Sequence, residues 1–449
     1  MFLGKSNPGL SGPVLSSIYS NFAAQINRSF PMKNNRTPCT LPNHVLPVIR
    51  AGLLAAMATC LVWPLCLAAQ AQQVIKIGFP MSLSDTSGEF GKPMLQGAQM
   101  FVDELNASGG VLGKRIEILV RDTHARPELA TQLAQELIRK DQVDFLVGSF
   151  TSAEGLAISP VAKQHKVVFI ALGPKTGQLT TPEALHPYVF RVAANTTTEG
   201  RTAAAIVARW KVKRMATIAP DYAYGRDAVK AFITQLNKIR PDIQIVDSQW
   251  PKINEPNYTP FIEAQLKARP DAVFSVICCG NFALFSQQAS SFDYFAKLNG
   301  RFIGVGETGS IEYTRQMKQA YPLGIWGNTY DAINYVPRDE VAAKVHAEFQ
   351  AKLKRYVKDD YPPSWAIQGY LGMQFLVAAI KKAQSLEALK VSSALKGLEL
   401  MTPYGPMTLR AKDQQLTRGS VWGKMSESKQ YPFPVLSPVE YIDPKILMD

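Results

Sequence analysis

Cysteine is scarce in this chain of 449 residues, and what there is cannot staple a fold. Three of the five, Cys39, Cys60 and Cys66, fall in the first 71 residues, and the other two, Cys278 and Cys279, are neighbours. An ordinary disulfide framework is excluded, since a cross-link between neighbours closes no loop. Histidine is equally sparse. Beyond the first 71 residues His124, His165, His186 and His346 stand apart, with no H-E-x-x-H pair, no G-x-S-x-G elbow and no P-loop. An enzyme reading has no motif to rest on, and neither a metal nor a cofactor is expected. Charge of one sign is not concentrated either. The formal net charge is +13, but Lys5, Arg28, Lys33, Arg36 and Arg50 precede residue 72 with no acidic residue among them, which leaves +8 scattered over the rest. Without a basic stripe, nucleic acid is not an expected partner.

The one long uncharged apolar run, Ala51 to Ala69, follows Arg50 and ends in Ala69-Gln70-Ala71. A positive flank, an apolar centre and small residues at the two positions inspected by signal peptidase define a secretory leader over residues 1–71, cleaved after Ala71. A retained anchor is the alternative, because a run of this length just spans a bilayer. Met32, followed by Lys33, is a second candidate start beside Met1. What remains is ample for two domains.

From Val74 onward, short apolar runs alternate with helical stripes. A strand at Val74–Phe79 precedes a stripe of Met94, Ala98, Phe101, Val102 and Leu105 opened by Pro93. Strands follow at Ile116–Val120, Phe145–Val147 and Val167–Ala171, separated by helices after Pro127 and from Ser152. The rhythm restarts after Asn195, with strands near Met215–Ala219, Ile243–Ser248 and Ala272–Ile277, and two long helices run from Glu340 to Lys354 and Ser364 to Lys382. Such alternation indicates βαβ units and parallel sheets covered on both faces, an α/β fold in two lobes.

Asn106-Ala107-Ser108-Gly109-Gly110-Val111-Leu112-Gly113-Lys114-Arg115 joins the first helix to the second strand. Together with Asp85-Thr86-Ser87-Gly88 and Val147-Gly148-Ser149-Phe150-Thr151-Ser152, it resembles the start of the type I periplasmic solute-binding proteins of the Leu/Ile/Val-binding family. The resemblance implies two lobes joined by a multi-strand hinge. It places residues 74–193 and about 330–415 in the N-terminal lobe, and residues 194–329 and about 416–449 in the C-terminal lobe. Crossings are expected near Val192–Asn195, near Gly327–Asp331 and within Tyr404–Val421.

Ligands of open α/β sheets sit beyond the carboxyl ends of the strands, where helix N-termini point unpaired N–H groups outward. Gly148 to Ser152 is such a place, although Thr151 or Ser152 as a simple N-cap explains the same residues. The resemblance implies that a ligand carboxylate binds here and at Ala171–Thr176. Ser152 falls on the family's ligand-binding serine, Gly173 on a residue whose backbone touches the ligand, and Lys175, or less cleanly Thr176, on its threonine. A lysine departs from that pattern, and it either adds charge to carboxylate binding or points into solvent. Tyr224, in Asp221-Tyr222-Ala223-Tyr224-Gly225, resembles an aromatic wall of the cleft, with packing at the helix start as the alternative. The family's acid for a ligand ammonium falls on Glu307, and its covering aromatic falls on Cys278-Cys279. Cys279 therefore stands where an aromatic is expected, and Phe90 supplies one from the first lobe. As residues, the two cysteines read best as small apolar groups ending a strand, with a vicinal disulfide as the alternative.

The resemblance implies a monomeric periplasmic receptor that binds a small carboxylate-bearing molecule between its lobes and presents it to the permease subunits of an ABC transporter. An amino acid or amide would use Ser152, Gly173 and Glu307, whereas an acid without an amine would use Lys175 and leave Glu307 idle. A sensor acting on a separate signalling partner, or an exported enzyme on the same fold, is the alternative.

Overall fold

The computed structural model describes residues 74–84 and 87–443. The leader, its cleavage after Ala71, the two candidate starts and Asp85-Thr86 lie outside them. Among the described residues no helix is long and apolar enough to cross a membrane.

Five strands, β1 (Val74–Met81), β2 (Arg115–Asp122), β3 (Phe145–Gly148), β4 (Val168–Ala171) and β5 (Val189–Arg191), form one sheet in the order β2-β1-β3-β4-β5. Every pairing in it is parallel. Parallel neighbours need crossovers, and helices α1 (Gly88–Ala107), α2 (Pro127–Arg139) and α3 (Ser152–His165) supply them. The helices cover the sheet, so β3 and β4 are buried throughout and read as unbroken apolar runs.

A second sheet takes β6 (Arg214–Ile218), β7 (Gln244–Gln249), β8 (Ala272–Ser275), β9 (Phe302–Gly304) and β10 (Trp326–Thr329) in parallel. Between and before them run α4 (Thr196–Val207), α5 (Ala223–Ile239), α6 (Thr259–Ala268), α7 (Gly280–Ser290), α8 (Tyr294–Lys297) and α9 (Ile311–Met317). Beyond them come α10 (Glu340–Val357), α11 (Ala366–Ala383), α12 (Ala388–Leu395) and a hairpin of β11 (Glu399–Thr402) and β12 (Gly405–Thr408). The last two strands, β13 (Ser420–Ser426) and β14 (Val435–Ile442), return to the second sheet and pair antiparallel at its edge, so this sheet is mixed.

Helix α11 packs against α1 of the first half. Gly97 and Gly369 permit it: a Cβ on Gly97 would stand 1.8 Å from the carbonyl oxygen of Ala366, and one on Gly369 would stand 1.8 Å from that of Met94. The chain passes between the sheets after β5, after β10 and before β13. Two of these passages run side by side, with Arg191 N–H donating to Gln414 O (3.0 Å) and Leu416 N–H to Arg191 O (2.9 Å). The third is tied in by Arg418, whose guanidinium donates to Tyr330 O at 3.1 Å.

Two sequence expectations shift. Helix α1 starts at Gly88 and carries Pro93 inside it rather than at its first turn. Burial of Phe90 against Phe150, Tyr313 and Trp365 extends the helix N-terminal to the proline. Strand β5 was not expected, because three residues are too few to show a period.

The glycine-rich joint is held by Asn106, whose side chain donates to Ile116 O (2.9 Å) and accepts from Ile116 N–H (2.8 Å). Gly110 has a φ of +78°, and a Cβ there would lie 2.0 Å from Lys114 O. Gly113, at φ +70°, has open space around it. Gly369→Ala is expected to cost about 3 kcal/mol or more through overpacking, and Gly113→Ala only about 1–2 kcal/mol for its left-handed φ. Urea unfolding of the two variants checks that order, and equal losses would contradict the helix contact described.

Candidate functional site

The site is built around one buried ammonium. Beyond β4 the backbone turns back over the start of α3, where the Ser152 hydroxyl accepts the N–H groups of Lys175 (3.2 Å) and Thr176 (3.1 Å). Gly173 makes the turn possible, because a Cβ there would meet Phe150 O at 2.4 Å. Lys175 is thereby aimed inward with only 4 % of its surface exposed. Its Nζ lies 2.6 Å from Glu199 Oε1 and is also bonded to Glu307 Oε1. The rings of Tyr330, Tyr224 and Trp365 surround it at 5.0, 5.7 and 6.0 Å, within cation–π range.

The two acids come from the other half of the molecule. Glu199 stands in the first turn of α4, a helix capped by Asn195. Glu307 follows β9 with a φ of +56° just after Gly306 at +87°. Asn328 holds it there by accepting the Glu307 N–H at 2.9 Å, and its amide reaches both carboxylates at 3.4 Å. Among the described residues, Glu199 Oε2, Glu307 Oε2, the Tyr224 hydroxyl and the Ser149 hydroxyl are buried with no hydrogen-bond partner.

One ammonium against two carboxylates leaves an excess negative charge in a dry place. Burial pushes the Glu199 carboxyl up to about 8, the nearby Lys175 only partly opposing it, so a proton remains to balance the cluster. For Lys175 burial works against the charge, but Glu199 and Glu307 outweigh it and hold the ammonium well above its usual range.

Two adjoining cavities open here. The inner one, about 30 Å³, is lined by Ser152, Gly173, Lys175, Tyr224, Glu307 and Trp365 among others. The outer one, about 220 Å³, has an apolar body of Phe150, Tyr222, Tyr258 and Ile277, with Arg126 and Ala153 also on its wall. Phe150, Thr151, Tyr222, Cys278 and Cys279 line both.

Of the residues singled out in the sequence, Ser152, Gly173, Lys175, Tyr224, Cys279 and Glu307 are brought together. Phe90 and Thr176 are not. Phe90 stacks behind Phe150, with ring centroids 6.0 Å apart, and lines neither cavity. Thr176 donates its hydroxyl to Asp227 and accepts Gln178 N–H (3.2 Å), capping the short 3₁₀ turn Gly177–Thr180. Lys175 is buried rather than solvated, because two acids distant in sequence are waiting for it. The helix start at Ser152 is also partly filled by the chain itself, since Glu154 accepts the N–H groups of Phe150 (3.3 Å) and Thr151 (2.7 Å). Glu199, Phe150, Tyr330 and Trp365 gave no sequence signal. An acid in a first helical turn reads simply as a dipole partner, and the aromatics read as core.

The family profile described as periplasmic binding protein matches residues 74–430. A Leu/Ile/Val-binding protein of Rhizobium johnstonii is 25% identical over 358 residues, 79% of this chain and 92% of that protein. Among solved structures, a solute-binding protein of an ABC transporter from Rhodopseudomonas palustris HaA2, in complex with p-hydroxybenzoic acid, superimposes with a TM-score of 0.74 at 20% identity, covering 84% of this chain and all of that one. Another from Rhodopseudomonas palustris BisB5, in complex with 3,4-dihydroxybenzoic acid, gives 0.72 at 22% identity, covering 82% and 98%.

The raised Glu199 carboxyl has a consequence for stability. The folded state holds a proton that the unfolded state releases above its ordinary 4.5, so this contribution is present below that pH and is lost as pH rises through about 8. Glu199→Gln removes the titration. Between those limits the wild type should lose stability relative to the variant as pH rises, as followed by denaturant unfolding. Parallel curves would contradict the assignment.

Proposed function

Because the chain belongs to the periplasmic binding protein family, we propose that it is an extracytoplasmic receptor that closes on a flat carboxylic acid lacking an amine and presents it to an ABC-type permease. The observation that carries this reading is Lys175. The acid that would take a ligand's ammonium, Glu307, already holds an ammonium of the chain's own. With Glu199 holding a proton, Lys175 and Glu307 already balance each other, and a ligand ammonium would find a counter-charge in this dry site only by displacing that proton.

The cavities suit such an acid from end to end. At the start of α3 the amides of Ser152 and Ala153 have no intrahelical acceptor, and the positive helix end favours a carboxylate. Arg126 lines the same outer cavity and adds charge of the right sign. The apolar middle, Phe150, Tyr222, Tyr258 and Ile277, matches an aromatic ring. Glu307 Oε2 and Tyr224 remain as partners for a ring hydroxyl. Solved relatives in this fold hold hydroxylated benzoic acids, which agrees with that division of polar and apolar surface. The inner cavity is too small for a ring in this arrangement, so the ring lies outside it. A ligand that touches both halves only when they are together shifts the population toward the closed form.

Thermal denaturation of the mature protein tests this reading. At a ligand concentration a hundredfold above Kd, 4-hydroxybenzoate should stabilise by roughly 2.7 kcal/mol, seen as a rise of several degrees in Tm, and leucine should not. Stabilisation by leucine but not by aromatic acids would overturn it. The double variant Lys175→Ala with Glu199→Gln leaves Glu307 without its ammonium and should gain a response to leucine.

A further inference from the structure

The same cleft contains a backbone feature that solute binding does not explain. Cys279, the residue before α7, has a φ of 63° and a ψ of −157°. That region is essentially reserved for glycine, and another residue held there is strained. Side-chain capping does not account for the strain: the Cys279 carbonyl accepts the Phe282 N–H at 2.9 Å, as an ordinary N-cap backbone does, and its side chain caps nothing. It does bring the Cys279 sulfur to 3.0 Å from that of Cys278. Non-bonded carbon atoms already prefer about 3.5–4.0 Å, and sulfur is larger. The Cys279 N–H is fixed by donation to the Tyr313 hydroxyl, so the backbone is held in this conformation from outside the pair.

Two thiols pressed together suggest a shared metal or a bond. A metal about 2.3 Å from each sulfur in tetrahedral geometry holds the two sulfurs well beyond 3.0 Å apart. Among the described residues no group of three or more His, Cys, Asp or Glu is arranged to bind one. The geometry points to a vicinal disulfide between Cys278 and Cys279 as a modification site of the exported protein, forming a rigid sulfur wall where the two cavities meet.

Formation needs an oxidant of the dithiol–disulfide class, which an oxidising exported compartment provides. Cys278 is partly exposed and lines the outer cavity, so its thiolate attacks a sulfur of the donor disulfide and expels one donor thiolate. Cys279 gives up its proton and attacks the Cys278 sulfur of the mixed disulfide, releasing the second. Two thiols lose two protons and two electrons, and the donor disulfide becomes two thiols. The ring that results locks the strained φ and replaces two S–H donors with an apolar face. Its role as a ligand wall rests on the reading of the cleft given above, whereas its formation does not.

Acid-quenched cells, alkylated in denaturant without reductant, should yield the peptide carrying Cys278 and Cys279 unalkylated and lighter by two hydrogen atoms than the dithiol. Prior reduction should give two alkylated cysteines. Two alkylated thiols without reduction would overturn the bridge. Reduction should weaken 4-hydroxybenzoate binding several-fold by calorimetry, and equal affinity in both forms would overturn the wall. A bridge found in a protein that binds no aromatic acid in either form would leave the bridge standing and sink the ligand reading. Aromatic-acid binding by a protein whose two thiols are both free as isolated without reductant would do the reverse.

Discussion

Burial of the Lys175 ammonium constrains everything around it. A charge taken out of water costs several kcal/mol unless it is paired and surrounded by suitable partners. Here the partners arrive from opposite halves of the chain. The lysine comes from the turn after β4, while Glu199 and Glu307 come from α4 and from the loop after β9. The site therefore exists only when both sheets are folded and adjacent. The aromatic walls deepen the dependence, since Tyr330 follows β10 and Trp365 precedes α11.

The anion site proposed at the start of α3 follows a different rule. Its donors are backbone amides, available at any helix N-terminus. The chain satisfies several of them internally: Thr151 and Glu154 form a capping box, and Glu154 also accepts from Ser82 at 3.0 Å. A ligand carboxylate thus competes for a short list of remaining donors, which favours a small, accurately placed group over a bulky one. The strained turns at Glu307 and Cys279 border the same space, as expected where backbone conformation serves a site and not packing.

Much of the framework was legible because parallel strands buried on both faces leave continuous apolar runs, as at Phe145–Gly148 and Val168–Ala171. Legibility failed where the signal is short or where a tertiary contact overrides it. Strand β5 has three residues, α1 extends through Pro93 because Phe90 is wanted in an aromatic cluster, and the edge pair β13 and β14 carries mixed burial. Six of the eight candidate residues converge on the inner cavity, whereas Thr176 is spent on a cap and on Asp227.

The sequence alone determined the rhythm of the chain, the turn chemistry at Asn106–Lys114 and Gly148–Ser152, and the family, because hydrophobic period and turn residues are local properties. Only the tertiary structure decided what Lys175 does. Read along the chain, it is a lone lysine for which solvent is the usual destination. Glu199 lies 24 residues away and Glu307 lies 132, and nothing local links such distances. Their meeting converts a lysine with a solvated prospect into the fixed charge of the candidate site, because pairing in a dry enclosure reverses the energetic preference that exposure would set.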